Sequence, residues 1–175
     1  MSRVYIAAGS NLGEREMTLE QAFRLLARPA GLQPRGAAPL YETVPVGGAP
    51  QGNFLNTVWE FETGLPPADL LQVLLTCEKR LGRVRSEKNA ERTIDLDLAA
   101  YEDRVLSEKG LTLPHPRLQE RWFVLKPLCD LAPHWVHPVS GKKAVELLAD
   151  LERDQTDLPG WLYSTSRPQG AALWK

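Results

Sequence analysis

The sequence predicts a single-domain α/β (α+β) protein built on a four-stranded antiparallel sheet backed by two helices. The spacing of apolar residues switches between a period of two and one of about 3.6 in the order β-α-β-β-α-β, the split βαβ arrangement. The composition is that of an ordinary globular chain: 175 residues, 43% hydrophobic and 25% charged, with a net charge of -1. A chain of this length buries roughly 70% of its unfolded surface, so it needs neither disulfides nor structural metal.

Arg3 to Ala8 reads as a short apolar strand ending at the turn-forming Gly9-Ser10-Asn11. A helix follows from Thr18, where Leu19, Ala22, Phe23 and Leu26 share one face until Pro29 and Gly31 stop it. Ala37 to Thr43 is strand material. Val44 to Asn53, rich in Pro and Gly without apolar period, reads as a long loop of the kind that carries function. Phe54 to Glu62 alternates as a strand. The second helix has Pro66 and Pro67 in its first turn, Asp69 at the positive end of its dipole, and a stripe of Leu70, Leu74, Cys77 and Leu81 ending at Gly82. After the polar stretch Arg83 to Glu91, Thr93 to Tyr101 alternates again, with Ile94, Leu96, Leu98 and Ala100 on one face and Asp95 and Asp97 on the other. The remainder decorates this frame: a short strand at Val105-Leu106, a third helix from Pro116 to about Leu128, and a fourth over Lys143 to Leu151. Residues 1–155 form the expected domain. Residues 156–175 read as a tail, broken by Pro159, Gly160, Pro168 and Gly170 yet carrying Trp161, Tyr163 and Trp174.

Several function classes drop out. No run of about 18 apolar residues exists and the early apolar stretch is too short for a signal peptide, so neither secretion nor a membrane is expected. Cys77 and Cys129 form no CxxC pair and fit a reducing cytoplasm as buried hydrophobes. Near-neutral charge argues against a broad nucleic-acid surface. There is no G-x-x-x-x-G-K-[ST] phosphate loop, no G-x-G-x-x-G after the first strand, no H-E-x-x-H and no G-x-S-x-G. RNA-recognition modules share the element order, but Asn53 to Phe61 lacks their aromatic-rich strand.

The most informative chemistry is Asp95-Leu96-Asp97. Two residues apart on a strand, both carboxylates leave one face about 7 Å apart, a spacing that permits a shared hard cation or two cations bridged by phosphate oxygens. A solvent-facing acidic pair is the ordinary alternative. Upstream lie Arg83, Arg85, Lys88 and Arg92, and an acidic strand face beside a basic loop is the layout of a metal–polyphosphate site. Glu78 sits on the edge of its helix's apolar stripe, pointing toward the sheet rather than fully outward, where an edge salt bridge is the bland account. His115 stands in the proline-braced turn Leu113-Pro114-His115-Pro116-Arg117, with Arg121 about one and a half turns on. His134 and His137 lack an acidic or cysteine ligand pattern and read as structural.

Gly9-Ser10-Asn11-Leu12, Phe54-Leu55-Asn56, Glu78 with Leu81-Gly82-Arg83-Val84-Arg85, Arg92-Thr93-Ile94-Asp95-Leu96-Asp97, and Pro114-His115-Pro116-Arg117 through Arg121-Trp122-Phe123-Val124-Leu125 occur in this order. With them the chain resembles the 6-hydroxymethyl-7,8-dihydropterin pyrophosphokinases of folate biosynthesis from about residue 3 to residue 130. The resemblance implies a ferredoxin-like fold and transfer of the β,γ-pyrophosphoryl group of ATP to the pterin hydroxymethyl, releasing AMP.

Residue by residue, the resemblance implies that Asp95 and Asp97 ligate two Mg2+ ions, Asp95 also orienting the pterin hydroxyl. Arg83, Arg85, Arg92, His115 and Arg121 would clamp the triphosphate, and Arg83, Arg92, Asp95 and Asp97 form the catalytic set. Leu71, Glu78, Leu98 and Thr112 match the nucleoside pocket. Asn56 matches the reader of the pterin's amide edge, with Phe54 and Phe123 on its faces and Thr43, Val44 and Val46 beside Gly9. The partners implied are ATP and the pterin, with no nucleic acid or membrane and a monomeric enzyme. Two departures stand out: Lys88-Asn89-Ala90-Glu91 replaces the Arg-Trp-Gly-Pro that many members carry, and Val44 replaces a frequent Pro.

Overall fold

The computed structural model of the chain describes residues 1–28, 31–45, 51–83 and 91–154. Val46, Arg85, Lys88 to Ala90 and the tail 156–175 lie outside the described residues.

The chain runs β1 (Ser2–Ser10), α1 (Arg15–Leu26), β2 (Leu32–Ala37), β3 (Tyr41–Thr43), β4 (Phe54–Thr63), α2 (Pro67–Arg80), β5 (Asp95–Tyr101), β6 (Leu106–Glu108), β7 (Leu111–Leu113), a 3-10 turn (Leu118–Glu120), α3 (Trp122–Leu131) and α4 (Ala144–Asp154). The main sheet has the order β2-β4-β1-β5, with β3 also paired to β4, and every pairing is antiparallel. With α1 and α2 this is the expected βαββαβ frame of the ferredoxin-like fold. β6 and β7 form a separate hairpin.

Strand alternation sends Val4, Ile6 and Ala8 of β1, and Leu55, Trp59 and Phe61 of β4, into one core with Leu19, Phe23 and Leu26 of α1 and Leu70, Leu74 and Cys77 of α2. The opposite face is covered as well, contrary to the expectation that the C-terminal elements only decorate. Tyr5, Ala7 and Val58 pack there against Trp122, Leu125 and Leu128 of α3, and α4 adds Leu147 and Leu151. The sheet is therefore the middle of three layers, and β4 is buried on both faces from Leu55 to Trp59.

Other expectations shift. Gly9 and Ser10 belong to β1 rather than to a turn, because β4 and β5 pair with β1 out to Ser10 and Gly9 respectively. α1 begins one turn early, Thr18 donating its backbone N–H to the Glu14 carbonyl. The strand expected over Ala37 to Thr43 covers only the last residue of β2, which starts at Leu32, and β3; between them the ladder is interrupted around Pro39, which has no N–H to give. A bulge opposite Tyr5 and Ile6 breaks the alternation of β5, so Ala100 joins Ala99 on the α3 face instead of following Leu98. The third helix is split: Arg121, with φ -106° and ψ 95°, separates the 3-10 turn from α3. That break places the Arg121 side chain beside β5.

Candidate active site

Gly9 lies in register with Asn56 of β4 on one side and Asp95 of β5 on the other. The three residues form one row across the sheet, at the end of its α3-facing surface, with Asp97 two residues further along β5. Asn56 is buried and donates from Nδ2 to Oγ1 of buried Thr43 at 2.8 Å. Phe54 stands two residues before it on the same face, and Phe123 sits half-buried in the first turn of α3. Val44 follows β3, half-buried. The pterin candidates Gly9, Thr43, Phe54 and Asn56 are thus brought together by β1, β3 and β4.

The basic candidates converge on the acidic pair. Arg83 reaches Asp95 at 2.8 Å and also Glu78; Arg92 reaches Asp95 at 2.9 Å; Arg121 reaches Asp97 at 3.2 Å. The Arg121 guanidinium also lies 5.7 Å from the Phe123 ring centroid, and its buried Nε has no hydrogen-bond partner among the described residues. A buried unpaired donor beside two carboxylates is suited to an anionic oxygen.

Glu78 points from the edge of the α2 stripe toward the sheet and carries an ion pair, as its position implies, and it is fully buried. It is 2% exposed, pairs with Arg83 and accepts the Leu96 backbone N–H at 2.7 Å. Burial pushes its carboxyl above the usual range, only partly opposed by the Leu96 hydrogen bond and Arg83. The Leu96 N–H therefore points away from β1, and by the alternation of an antiparallel ladder Leu98 presents its N–H and C=O on the same outer edge. The Leu98 side chain is core, 4% exposed. Leu71 packs partly buried against that core and Thr112 is exposed on β7, so the nucleoside candidates border the outer edge of β5.

His115 donates its backbone N–H to Ala99, and its Nδ1 accepts the Arg117 N–H at 3.2 Å, which leaves the ring proton on Nε2. Burial lowers its pKa, with Asp97 opposing and Arg121 adding to the shift, so the ring is a neutral donor at neutral pH. His137 is buried and takes the Val139 and Ser140 N–H groups on Nδ1, in keeping with a structural role. A concavity of about 820 Å³ lies at the far end of the sheet, bounded by Arg3, Tyr5, Glu60, Glu102 and Trp135; none of the candidates lines it.

Sequence reasoning missed two residues that hold this arrangement. Asn11, read as a turn former, is 5% exposed and joins Arg92 to Gly52. Arg15 donates to Glu42 and to the Asn53 carbonyl, fastening the approach to β4. The only trace of Asn11 is its place in Gly9-Ser10-Asn11-Leu12; its partners lie 41 and 81 positions away.

The model of the 7,8-dihydro-6-hydroxymethylpterin-pyrophosphokinase (HPPK) family matches residues 5–133. The chain belongs to the HPPK family. Among its relatives, the 2-amino-4-hydroxy-6-hydroxymethyldihydropteridine pyrophosphokinase of Synechocystis sp. is 40% identical over 147 residues, covering 84% of this chain and 75% of the relative. The enzyme of that name from Methylorubrum extorquens is 40% identical over 152 residues, covering 87% and 95%. A solved structure of wild-type Plasmodium falciparum HPPK-DHPS superposes with a TM-score of 0.70 at 15% identity, covering 90% of this chain and 45% of that one. That likeness shows the fold, a ferredoxin-like sheet carrying helices. Membership of HPPK makes the chain a folate-biosynthesis enzyme that takes ATP and a pterin. No helix among the described residues is long and apolar enough to cross a membrane.

Proposed function

We propose that this HPPK transfers the β,γ-pyrophosphoryl group of ATP to the hydroxymethyl oxygen of 6-hydroxymethyl-7,8-dihydropterin, releasing AMP, at the row Asn56–Gly9–Asp95. That row is the observation that carries the reading. It sets a buried amide suited to a pterin edge and a carboxylate suited to a phosphate-bound cation on either side of a residue with no side chain, about 10 Å apart across two strand spacings.

Asp95 and Asp97 fit Mg2+ by donor type: both are hard oxygen ligands on one face, and among the described residues no third acidic or histidine side chain completes an all-protein cage. Mg2+ is commonly held by one or two carboxylates with phosphate oxygens and water filling the rest, so two ions shared with the triphosphate suit this pair. When bound, the ions would offset charge on the phosphates and on the AMP leaving group.

The chain's own residues do the remaining work. Arg83, Arg92 and Arg121, which neutralise the two carboxylates here, would exchange them for phosphate oxygens, and the orphan Nε of Arg121 adds a donor. Neutral His115 would donate from Nε2. Arg85, adjacent in sequence to this group, completes the clamp. Asn56, pinned through Nδ2 by Thr43, offers Oδ1 to a ring N–H, while Phe54 and Phe123 supply ring faces, and Val44 and Val46 backbone contacts. The outer edge of Leu98, with Leu71, Thr112 and Glu78, would take the nucleoside. In the transfer the hydroxymethyl oxygen bonds to the β-phosphorus, the bond from that phosphorus to the α,β-bridging oxygen breaks and leaves that oxygen on AMP, and the hydroxyl proton passes to water; Asp95 orients that hydroxyl.

Both faces of the sheet are covered by the chain's own helices and both cysteines are free, which supports a monomer working in the cytoplasm. Residues 1–155 constitute the catalytic domain in this reading, and 156–175 an extension. Phosphorus NMR of the protein with Mg2+, ATP and the pterin tests the reaction. AMP with a pterin diphosphate is expected, absent when the metal is chelated; ADP would contradict pyrophosphoryl transfer, and turnover insensitive to chelation would contradict the metal.

A further inference from the structure

Arg15 is the first residue of α1, a place where a cation opposes the helix dipole and an acid is the ordinary choice. It is not spent on holding the helix start. Its Nη1 donates to Glu42 Oε1 at 2.9 Å and to the Asn53 carbonyl at 2.7 Å, and the Arg15 and Glu42 side chains are only 29% and 26% exposed. Gly13, at φ 68°, makes the tight turn that swings the chain from β1 into α1 and brings Arg15 to these partners.

Glu42 and Asn53 belong to the two strands that carry the proposed pterin contacts. β3 is three residues long and pairs with β4 alone, and their ladder ends at the pair Thr43–Phe54. Glu42 stands one residue inside that end and Asn53 one residue beyond it, so a single guanidinium nitrogen bridges the strands where their own pairing runs out. Glu42 lies opposite Leu55, which is part of the core under α1, and cross-strand partners share a face. Thr43, Phe54 and Asn56 leave by the other face. Arg15 therefore acts from behind the sheet, away from the proposed pocket. On the pocket side, the Thr43 hydroxyl accepts the Asn56 Nδ2 proton at 2.8 Å, a bond that needs the last pair of the ladder closed.

We propose that Arg15 is a positioning residue for the pterin: it pins β3 to the start of β4, keeps Thr43 against Asn56 and so holds the amide in the orientation that reads the pterin ring. This rests on the pterin assignment above. Without the pin the closed arrangement is one of several, and the apparent pterin affinity falls in proportion to its population. A saturating pterin selects the closed arrangement again, so the loss appears in KM and not in kcat.

The test is steady-state kinetics of the full chain with the pterin varied at saturating Mg2+ and ATP, beside calorimetric titration of α,β-methylene-ATP. Arg15→Ala should raise the pterin KM about tenfold and leave kcat and nucleotide affinity within about twofold of the parent. Arg15→Gln, too short to bridge both acceptors, serves the same comparison if Arg15→Ala does not fold. Glu42→Gln keeps an acceptor for Nη1 and should stay within about threefold of the parent KM, whereas Glu42→Ala should share the rise. The deciding comparison is a double-mutant cycle with Thr43→Val, which keeps the shape and removes the hydroxyl: there Arg15→Ala should add less than about twofold. A full additive loss in that cycle, an equal fall in kcat, or an unchanged KM in Arg15→Ala beside a raised one in Thr43→Val overturns the inference and leaves the pterin assignment standing. An unchanged KM in Thr43→Val overturns the assignment of Thr43 and the inference with it.

Discussion

Gly9 and Asn56 face each other across β1 and β4 so closely that a Cβ on Gly9 would stand 2.7 Å from Asn56 Oδ1. Side-chain contacts that short are not tolerated, and Asn56 cannot simply swing away because Thr43 holds its Nδ2. Gly9→Ala should therefore displace Asn56, the proposed pterin reader, and leave the proposed nucleotide side intact. Calorimetry should show pterin affinity down by tenfold or more, about 1.4 kcal/mol, with nucleotide affinity within twofold of the parent. Equal losses for both substrates would mean that the sheet, rather than the pocket, has been disturbed.

Asp97→Asn keeps the shape of the side chain and removes its charge. Its carboxylate is 39% exposed and paired only with Arg121 among the described residues, so little stability rides on it, less than about 1 kcal/mol, or 2–4 °C in Tm. Turnover is another matter, since loss of one of the two proposed magnesium ligands should lower kcat by about a thousandfold. Steady-state rates across a magnesium titration check this. A variant with near-parental kcat at ordinary magnesium would remove Asp97 from the metal site.

How much of this was legible beforehand follows from the range of each interaction. The faces of β4 and the stripe of α2 repeat within a few residues, and Leu55, Trp59, Leu70 and Leu74 pack as their spacing implies. The register that puts Gly9 between Asn56 and Asp95 is long-range, and only the two motifs around it hinted that they meet. The second layer is not legible because the apolar stripe of α3 says that it is buried, not against what; Tyr41 meets Asp130 across 89 positions. The stripe of α2 turns Glu78 toward the sheet, but a helical wheel cannot show that β5 turns the Leu96 N–H toward it. The bulge that moves Ala100 to the α3 face leaves no mark in an unbroken run of apolar residues.

Glu78 offers a test of function against stability. Burial raises its pKa, so between the unfolded value near 4.5 and the higher folded one the native state binds more protons than the unfolded state. The stability this contributes is complete below the unfolded value and is lost as pH rises through the folded one. At neutral pH the ionised carboxylate is thus a net cost. Glu78→Gln keeps an acceptor for the Leu96 N–H and drops the charge, so its Tm at pH 7.5 should equal or exceed the parent's, an advantage that shrinks toward pH 4.5. The rate should fall about tenfold, because Arg83 loses the partner that holds it beside Asp95. Thermal melts across pH with parallel assays decide it, and a Tm more than about 4 °C below the parent's at pH 7.5 would show that the Arg83 pair outweighs the burial cost.

Tyr41 and Asp130 tie β3 to α3, and those two elements carry Thr43 and Phe123, both proposed for the pterin pocket. The Tyr41 hydroxyl donates to Asp130, Lys126 donates to the same carboxylate and lies 5.3 Å from the tyrosine ring centroid, and Trp122 meets that ring edge-on at 5.6 Å. Thr43 follows Tyr41 by two residues and Phe123 follows Trp122 by one. Tyr41→Phe keeps the ring and its packing and deletes one hydrogen bond to a charged acceptor, which should cost about 1.5 kcal/mol and lower Tm by about 3–6 °C. If the link also sets the distance between Thr43 and Phe123, pterin affinity should fall about threefold to tenfold while nucleotide affinity holds. A melt shifted as expected with pterin binding unchanged would make the Tyr41–Asp130 contact a fastening of the fold alone, and the width of the pocket would then have to be set by Asn56 and Thr43 from the sheet side.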